Sequence, residues 1–289
     1  MIMSNIDPSQ FKQGQRESWD SVAAEWHRWW KTTETAAENV SRRLIELAEI
    51  KQDYKVLDIA TGIGEPSITA AKNIGGENGH VLATDISPQM LSMARQRAAS
   101  LGLQDVIEFK EGDAETIDLP ASTFNAVLCR FGLTFLPDLK TGLYNIHRSL
   151  VPGGRLAAAV WASPDKVPFI TLALNTVLKE TNSPQPPPGI PGPFSLSNEN
   201  FLKDSFVKSR FTDITIDKIN VVFNFDSAED YTSFVHGTAA PIRAILANET
   251  PERREEVLKV VTQSARKYAD NSTGTVRLNN EAICLVGRK

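Results

Sequence analysis

Gly62 and Gly64 follow a short apolar run, Val56-Leu57-Asp58-Ile59-Ala60, and precede a helical pattern that starts near Glu65. Glycine lets a backbone approach a ligand closely at such a strand-to-helix turn. Two acids flank the turn, Asp58 before it and Glu65 at its end. Both would repel a pyrophosphate and favour a ligand with a cationic end. Asp85 stands 21 residues beyond Gly64 (85 − 64), at the end of the next strand. A carboxylate there can accept both hydroxyls of a ribose. Gly112-Asp113-Ala114-Glu115 follows a third strand and places an acid where an adenine amino group can be met. Any one of these loops is equally well read as a tight turn or a helix-start acid. Three of them, in order on consecutive strands, point to one nucleoside-bearing ligand.

The dinucleotide pattern GxGxxG is broken, because Ser67 stands three residues after Gly64. S-adenosylmethionine fits the acids better, with its ammonium and sulfonium. Its carboxylate can use the free amides at the helix start. The segments Val56 to Gly64, Ala83 to Leu91, Gly112 to Glu115 and Leu150-Val151-Pro152-Gly153-Gly154 resemble the successive motifs of class I S-adenosylmethionine-dependent methyltransferases. Their spacing is most similar to the branch of the ubiquinone/menaquinone-biosynthesis C-methyltransferases, which includes many natural-product methyltransferases. The resemblance covers roughly Lys51 to Trp161. Ala60 departs from it, standing where many members have the first glycine. The resemblance implies that Asp58, Ala60 and Gly62, with Gly64 in the same loop, line the methionine end of the cofactor. It places Asp85, Ile86 and Met90 at the adenosine, Asp113 and Ala114 at the adenine, and Arg130 and Phe131 below the sulfonium. The Asn/Asp-Pro-Pro-Tyr-type motif of base- and amide-methylating relatives is missing after the fourth strand, which reads Cys129-Arg130-Phe131-Gly132.

These loops need a sheet to hold them. Short apolar runs at Val56–Ala60, His80–Thr84, Val106–Lys110, Ala126–Arg130 and Arg155–Trp161 alternate with helical stretches at Glu65–Asn73, Ser87–Ser100 and Asp138–Leu150. Such alternation means a parallel sheet covered on both faces, with ligands at the carboxyl ends of its strands. The expectation is an α/β, Rossmann-like class I methyltransferase fold with a mostly parallel seven-stranded sheet. Residues 1–50 are expected to form an N-terminal helical lid, with one helix over Gln10–Lys31 and another over Ala36–Ile50. Residues 51–161 form the cofactor-binding core. Residues 162–289 add late strands, one or two at Phe211–Phe225 and one at Ala282–Val286, with helical substrate-cap insertions. The prolines of Ser183–Pro193 require a loop.

Aromatic residues suit a transfer in which positive charge moves from sulfur to the acceptor. Trp26 and Trp30 in the lid, with Phe135 and Trp161 near strand ends, are candidates for the acceptor pocket. Trp26 and Trp30 are equally well read as core packing, while Phe135 and Trp161 hold the more pocket-like positions. His27 and His236 are the two candidate general bases; His80 starts a strand and His147 lies in a covering helix. The net charge of −4 opposes a nucleic-acid partner, which needs a basic face. Two cysteines form neither a disulfide framework nor a metal cluster. With no signal-peptide pattern at Met1–Asp7 and no long apolar run, a cytoplasmic location without a membrane span is expected. The expected activity is methyl transfer to a small, bulky, largely apolar metabolite: a natural product, an alkaloid nitrogen or a quinone-like ring. A non-catalytic nucleotide-binding α/β protein and an NAD-dependent oxidoreductase are the alternatives.

Overall fold

Each apolar run bounded by turn residues becomes a strand: β1 (Lys55–Ile59), β2 (His80–Asp85), β3 (Ile107–Glu111), β4 (Phe124–Arg130), β5 (Leu150–Trp161), β6 (Thr212–Phe225) and β7 (Val276–Arg288). The computed structural model describes residues 7–289 apart from Glu77 and Pro188. The reading of the first six residues therefore lies outside the described residues, as does Pro188 of the proline-rich loop. The strands form one sheet in the order β3-β2-β1-β4-β5-β7-β6. All pairings from β3 to β5 are parallel, and β7 runs antiparallel to both β5 and β6.

Successive residues along a buried strand go to opposite faces. In β5, Ala157, Ala159 and Trp161 enter one apolar layer, while Leu156, Ala158 and Val160 enter the other. The second layer is covered by α5 (Leu139–Ser149) and α7 (Glu199–Lys208), through Leu143, Ile146, Leu202 and Phe206. The first is covered by α2 (Trp30–Leu47), α3 (Ser67–Asn73) and α6 (Pro168–Glu180). Burial on both faces explains why these strands read as apolar runs rather than alternating ones.

The N-terminal segment forms α1 (Pro8–Arg28), capped by Asp7, whose side chain accepts from Ser9 N at 2.9 Å. It does not continue to Lys31: Trp29, at φ −95° and ψ 14°, breaks it from α2. α4 (Pro88–Ser100) starts at a Ser87 cap. The Phe211–Phe225 segment is a single strand. Its partner β7 is longer than expected, because Arg277 and Asn279 are exposed and hide its amino-terminal half from an apolar reading. Between these strands lie α8 (Ala228–Thr238), α9 (Ala240–Ala247) and α10 (Pro251–Ala265). The short α9 was not expected; Pro241, which looks like a breaker, occupies its first turn. Among the described residues no helix is long and apolar enough to cross a membrane.

Candidate functional site

The loops that leave the carboxyl ends of β1, β2, β3 and β4 open into one cleft, and α1 lies across it. From the sheet side it is lined by Ala60, Gly62, Asp85, Ile86 and Met90, then by Asp113, Ala114, Arg130, Phe131 and Phe135. From the lid side come Lys12, Gln15, Trp19, Trp26 and, from α2, Glu34.

The floor is a set of charge-assisted bonds to backbone amides. Asp85 Oδ2 accepts from Gly62 N at 2.8 Å and its Oδ1 accepts from Ser87 N at 2.9 Å. One carboxylate thereby fixes both the glycine turn and the start of α4. Burial pushes it up to about 6, against the pull of those amides. Gly62 has φ +56°, a left-handed conformation that disfavours side chains, and a Cβ there would project into open space. Gly64 serves packing instead. A Cβ there would meet Ile68 Cδ1 at 3.1 Å and Ala94 Cβ at 3.4 Å, and Gly64 is not part of the cleft wall.

Asp58 also sits behind the wall. Its carboxylate is wholly buried, and its Oδ2 accepts from Ser67 N at 3.0 Å and Ser67 Oγ at 2.6 Å, tying β1 to the first turn of α3. Its Oδ1 has no partner. Burial raises it to about 7, well above an ordinary aspartate.

At the other end, Asp113 Oδ1 accepts from Glu115 N at 2.9 Å, and its Oδ2 lies 2.7 Å from Lys12 Nζ. Glu115 Oε2 takes the same ammonium at 2.5 Å, and its Oε1 accepts from Asp138 N at the start of α5. Arg130 leaves the end of β4 and holds Glu34 with two parallel bonds of 2.9 Å, plus Ser41 Oγ at 2.9 Å. Burial opposes the Arg130 charge, but Glu34, with Glu65 and Asp58 nearby, more than offsets it and raises the guanidinium above its usual range. Phe131 adopts φ +65° and stacks on Trp161 at 4.2 Å with the planes 8° apart. A bulky residue in the left-handed region stores roughly 1–2 kcal/mol of strain.

The aromatic wall differs in part from the expected one. Trp26 lines the cleft and donates from Nε1 to Thr238 O at 3.2 Å. Trp19 meets Trp26 at 6.2 Å and Phe135 edge-on at 5.3 Å. Trp161 supports Phe131 from beneath and does not face the cleft. Trp30 falls beyond the helix break and packs its ring on the Arg97 guanidinium at 4.8 Å. His27 has its Nδ1 buried without a partner, outside the cleft wall. His236 is exposed on α8. Neither histidine touches the cleft. The late helices also stand back: among the described residues none beyond Pro137 lines it. They buttress α1 from outside, with Arg243 donating to Ser21 O at 3.0 Å and Tyr231 wholly buried against α6.

The sequence reading missed Lys12, Gln15, Trp19 and Glu34. The first three, with Trp26, are spaced 3, 4 and 7 residues apart, a single helical face. That spacing was a readable signal.

The family model described as a methyltransferase domain matches residues 56–154. These span β1 to the first residues of β5, the part that supplies the cleft floor. The chain carries a methyltransferase domain. The ubiquinone/menaquinone biosynthesis C-methyltransferase UbiE of Pseudomonas savastanoi pv. phaseolicola is 32% identical over 171 residues, covering 55% of this chain and 62% of that protein. The chain thus spans less than two thirds of that curated relative. Beyond the methyltransferase domain the likeness is one of fold. The [4+2]-cyclase SpnF superposes with a TM-score of 0.59 at 17% identity, covering 96% of each chain. A phosphoethanolamine N-methyltransferase of Haemonchus contortus, solved with S-adenosylhomocysteine, gives 0.58 at 15% identity over 99% of this chain and 61% of that one.

Proposed function

We propose that this protein is an S-adenosylmethionine-dependent methyltransferase acting on a small, largely apolar acceptor. One observation carries the reading: a single cleft has acids at two of its stations and an aromatic wall facing them. Asp85 and Asp113 mark a ribose and an adenine station, and Gly62 leaves open space between them and the aromatic side. Trp19, Trp26, Phe131 and Phe135 offer flat apolar faces to an acceptor. The unpartnered Asp58 oxygen and the surplus of cleft acids over cations suit a ligand that brings positive charge. The methyltransferase domain and its UbiE-type relatives support the same reading.

When bound, the cofactor supplies an electrophilic methyl group. The protein's own residues do the rest. Asp85, held by the Gly62 amide, orients the ribose, Asp113 and the Ala114 region meet the adenine, and the Lys12 pairs hold α1 closed against water. The aromatic wall aligns the acceptor and favours positive charge on the incoming atom. With His27 and His236 outside the cleft, transfer goes to an acceptor atom that already offers a lone pair or a nucleophilic carbon.

Titration calorimetry with S-adenosylhomocysteine and with NAD tests the reading, followed by a methyl-transfer screen of small metabolites scored by a 14-dalton mass gain, about one CH₂. Binding of the first ligand alone, with a methylated product, is expected. Preferential binding of NAD would overturn it in favour of an oxidoreductase. Binding without any methylated product would favour a non-catalytic binding protein.

A further inference from the structure

Residues four apart on a helix lie about 40° apart around its axis and roughly 6 Å apart along it. Gln15 and Trp19 of α1 therefore share one line, a turn apart. Their neighbours fix where that line points. Arg16 and Asp20 lie about 100° and 140° round from Gln15 and are turned to Glu111 and to Ser87 and Gln89. Trp19 instead meets Phe135 edge-on at 5.3 Å, at the turn that follows β4. Gln15 leans with Trp19 toward the exit of β4, where Phe135, Leu136 and Pro137 complete the wall.

Most polar groups of the lining are already committed inside the protein. Its two cations are held, Lys12 by Asp113 and Glu115 and Arg130 by Glu34. Thr61 Oγ1 pairs with Ser67 Oγ, Thr84 Oγ1 donates to Asp58 O, and Trp26 Nε1 donates to Thr238 O. Among the described residues the Gln15 amide makes no hydrogen bond, although it stands half-buried in the same wall. The indole of Trp19 beside it only donates, whereas an amide both donates and accepts. At the edge of an aromatic wall, such a group fixes the orientation of a ligand through its hydroxyl or carbonyl. A carboxylate or phosphate would find no free cation there and would lose its hydration without compensation.

We propose that Gln15 is a specificity-determining residue of the acceptor site, where its amide reads one uncharged hydrogen-bonding group on an acceptor whose apolar body lies against Trp19 and Phe135. The proposal rests on the function argued above, which puts the cofactor at Asp85 and Asp113 and the acceptor at the aromatic wall. Gln15 lies outside residues 56–154, the methyltransferase domain, so this selection belongs to the lid helix and not to the cofactor-binding core. It makes the site favour acceptors that are neutral overall and carry a hydroxyl or carbonyl at one edge. Purely apolar molecules lack the bond, and anionic ones lack a counter-charge. Lys12, one turn before Gln15, holds Asp113 at the adenine end. Gln15 thus stands at the border of the two ligands, and a test must separate them.

Equilibrium dialysis near neutral pH, with saturating S-adenosylhomocysteine, tests this with three probes of one skeleton: naphthalene, 1-naphthol and 1-naphthoate. The parent should bind 1-naphthol about fivefold more tightly than naphthalene, the scale of one net hydrogen bond, and more tightly than 1-naphthoate. Gln15→Met keeps the length of the side chain and removes the amide. It should bring 1-naphthol down to the affinity of naphthalene, while the affinities for naphthalene and S-adenosylhomocysteine stay as in the parent. A preference for 1-naphthol that survives Gln15→Met overturns the proposal and assigns the contact to another group. A parent that prefers 1-naphthoate, does not discriminate, or binds none of the three probes overturns it too. Weaker binding of S-adenosylhomocysteine by Gln15→Met places the amide at the cofactor and likewise overturns it. No binding of S-adenosylhomocysteine by the parent overturns the cofactor reading itself.

Discussion

Lys12 Nζ lies 2.7 Å from Asp113 Oδ2, so a residue of the lid helix holds the acid assigned to the adenine. The same ammonium reaches Glu115, and Arg16, one turn on, pairs with Glu111 at 2.8 Å. Asp20, a further turn on, accepts from Ser87 Oγ at 2.5 Å and Gln89 N at 3.2 Å. Positions 12, 16 and 20 make one polar stripe that closes α1 over the ends of β2 and β3. Partly exposed ion pairs are weakened by salt. Raising ionic strength should therefore speed the dissociation of S-adenosylhomocysteine several-fold, and Lys12→Met should speed it at low salt and remove most of the salt effect. Stopped-flow fluorescence of the lid tryptophans reads both; a salt-independent rate in the parent protein would show that the stripe does not gate exchange.

Asp85 supports the turn and, in the function proposed above, the ligand as well. Asp85→Ala should weaken S-adenosylhomocysteine binding by about 1.5–3 kcal/mol, the scale of lost charge-assisted bonds. Its pH behaviour has two opposite signs. Burial lifts it from 3.8 to about 6, so between those values the folded chain holds more protons than the unfolded one. This group therefore adds stability as pH falls through 6 and costs stability above it. Ribose recognition needs the ionised form and fades over the same interval. Lowering the pH from 7 to 5 should weaken ligand binding in the parent, and should raise its melting temperature relative to Asp85→Asn. Parallel melting curves for the two proteins across that range would refute the assignment.

Gly62→Val tests the open space beside the turn. A Cβ at this position meets no protein atom within 4 Å, so the fold should survive with a loss of roughly 1–2 kcal/mol from the left-handed backbone. Ligand binding should disappear, because the branched side chain fills the cleft. A folded Gly62→Val that binds S-adenosylhomocysteine as the parent does would remove the basis for placing the ligand there.

Strands β1, β2 and β4 were legible because each is a buried apolar run with a glycine or an acid at or just past its end, and that pattern depends on local sequence alone. The Asp85 and Asp113 loops were legible for the same reason. Asp58 and Gly64 were placed in the wall but lie behind it: sequence spacing shows that a residue belongs to a loop, not whether its side chain turns to the ligand or to α3 and α4. Trp30 and Trp161 failed for a related reason. One sits past a helix break at Trp29 that no proline or glycine announces, and the other is the lower member of a stack. Glu34 was hidden altogether, because its partner Arg130 is 96 residues away, and pairing at that distance leaves no periodic trace.

The aromatic lid can now be tested with residues that face the cleft. Trp19 touches both Trp26 and Phe135, so Trp19→Ala removes the centre of the proposed acceptor wall. Its loss should reduce turnover of the acceptor, raising its KM, while S-adenosylhomocysteine affinity changes little. Trp30→Ala should act differently, because its ring covers Arg97: cofactor affinity should suffer at least as much as acceptor turnover. His27→Ala and His236→Ala complete the comparison. A general base at either position would supply about 10²–10⁴-fold in rate and one limb of the pH profile. Both side chains lie outside the cleft, so each variant should keep its rate within a few-fold and its profile unchanged. A large rate loss with a missing limb in either variant would mean that α1 or α8 swings its histidine inward during turnover, and that transfer does not rest on positioning alone.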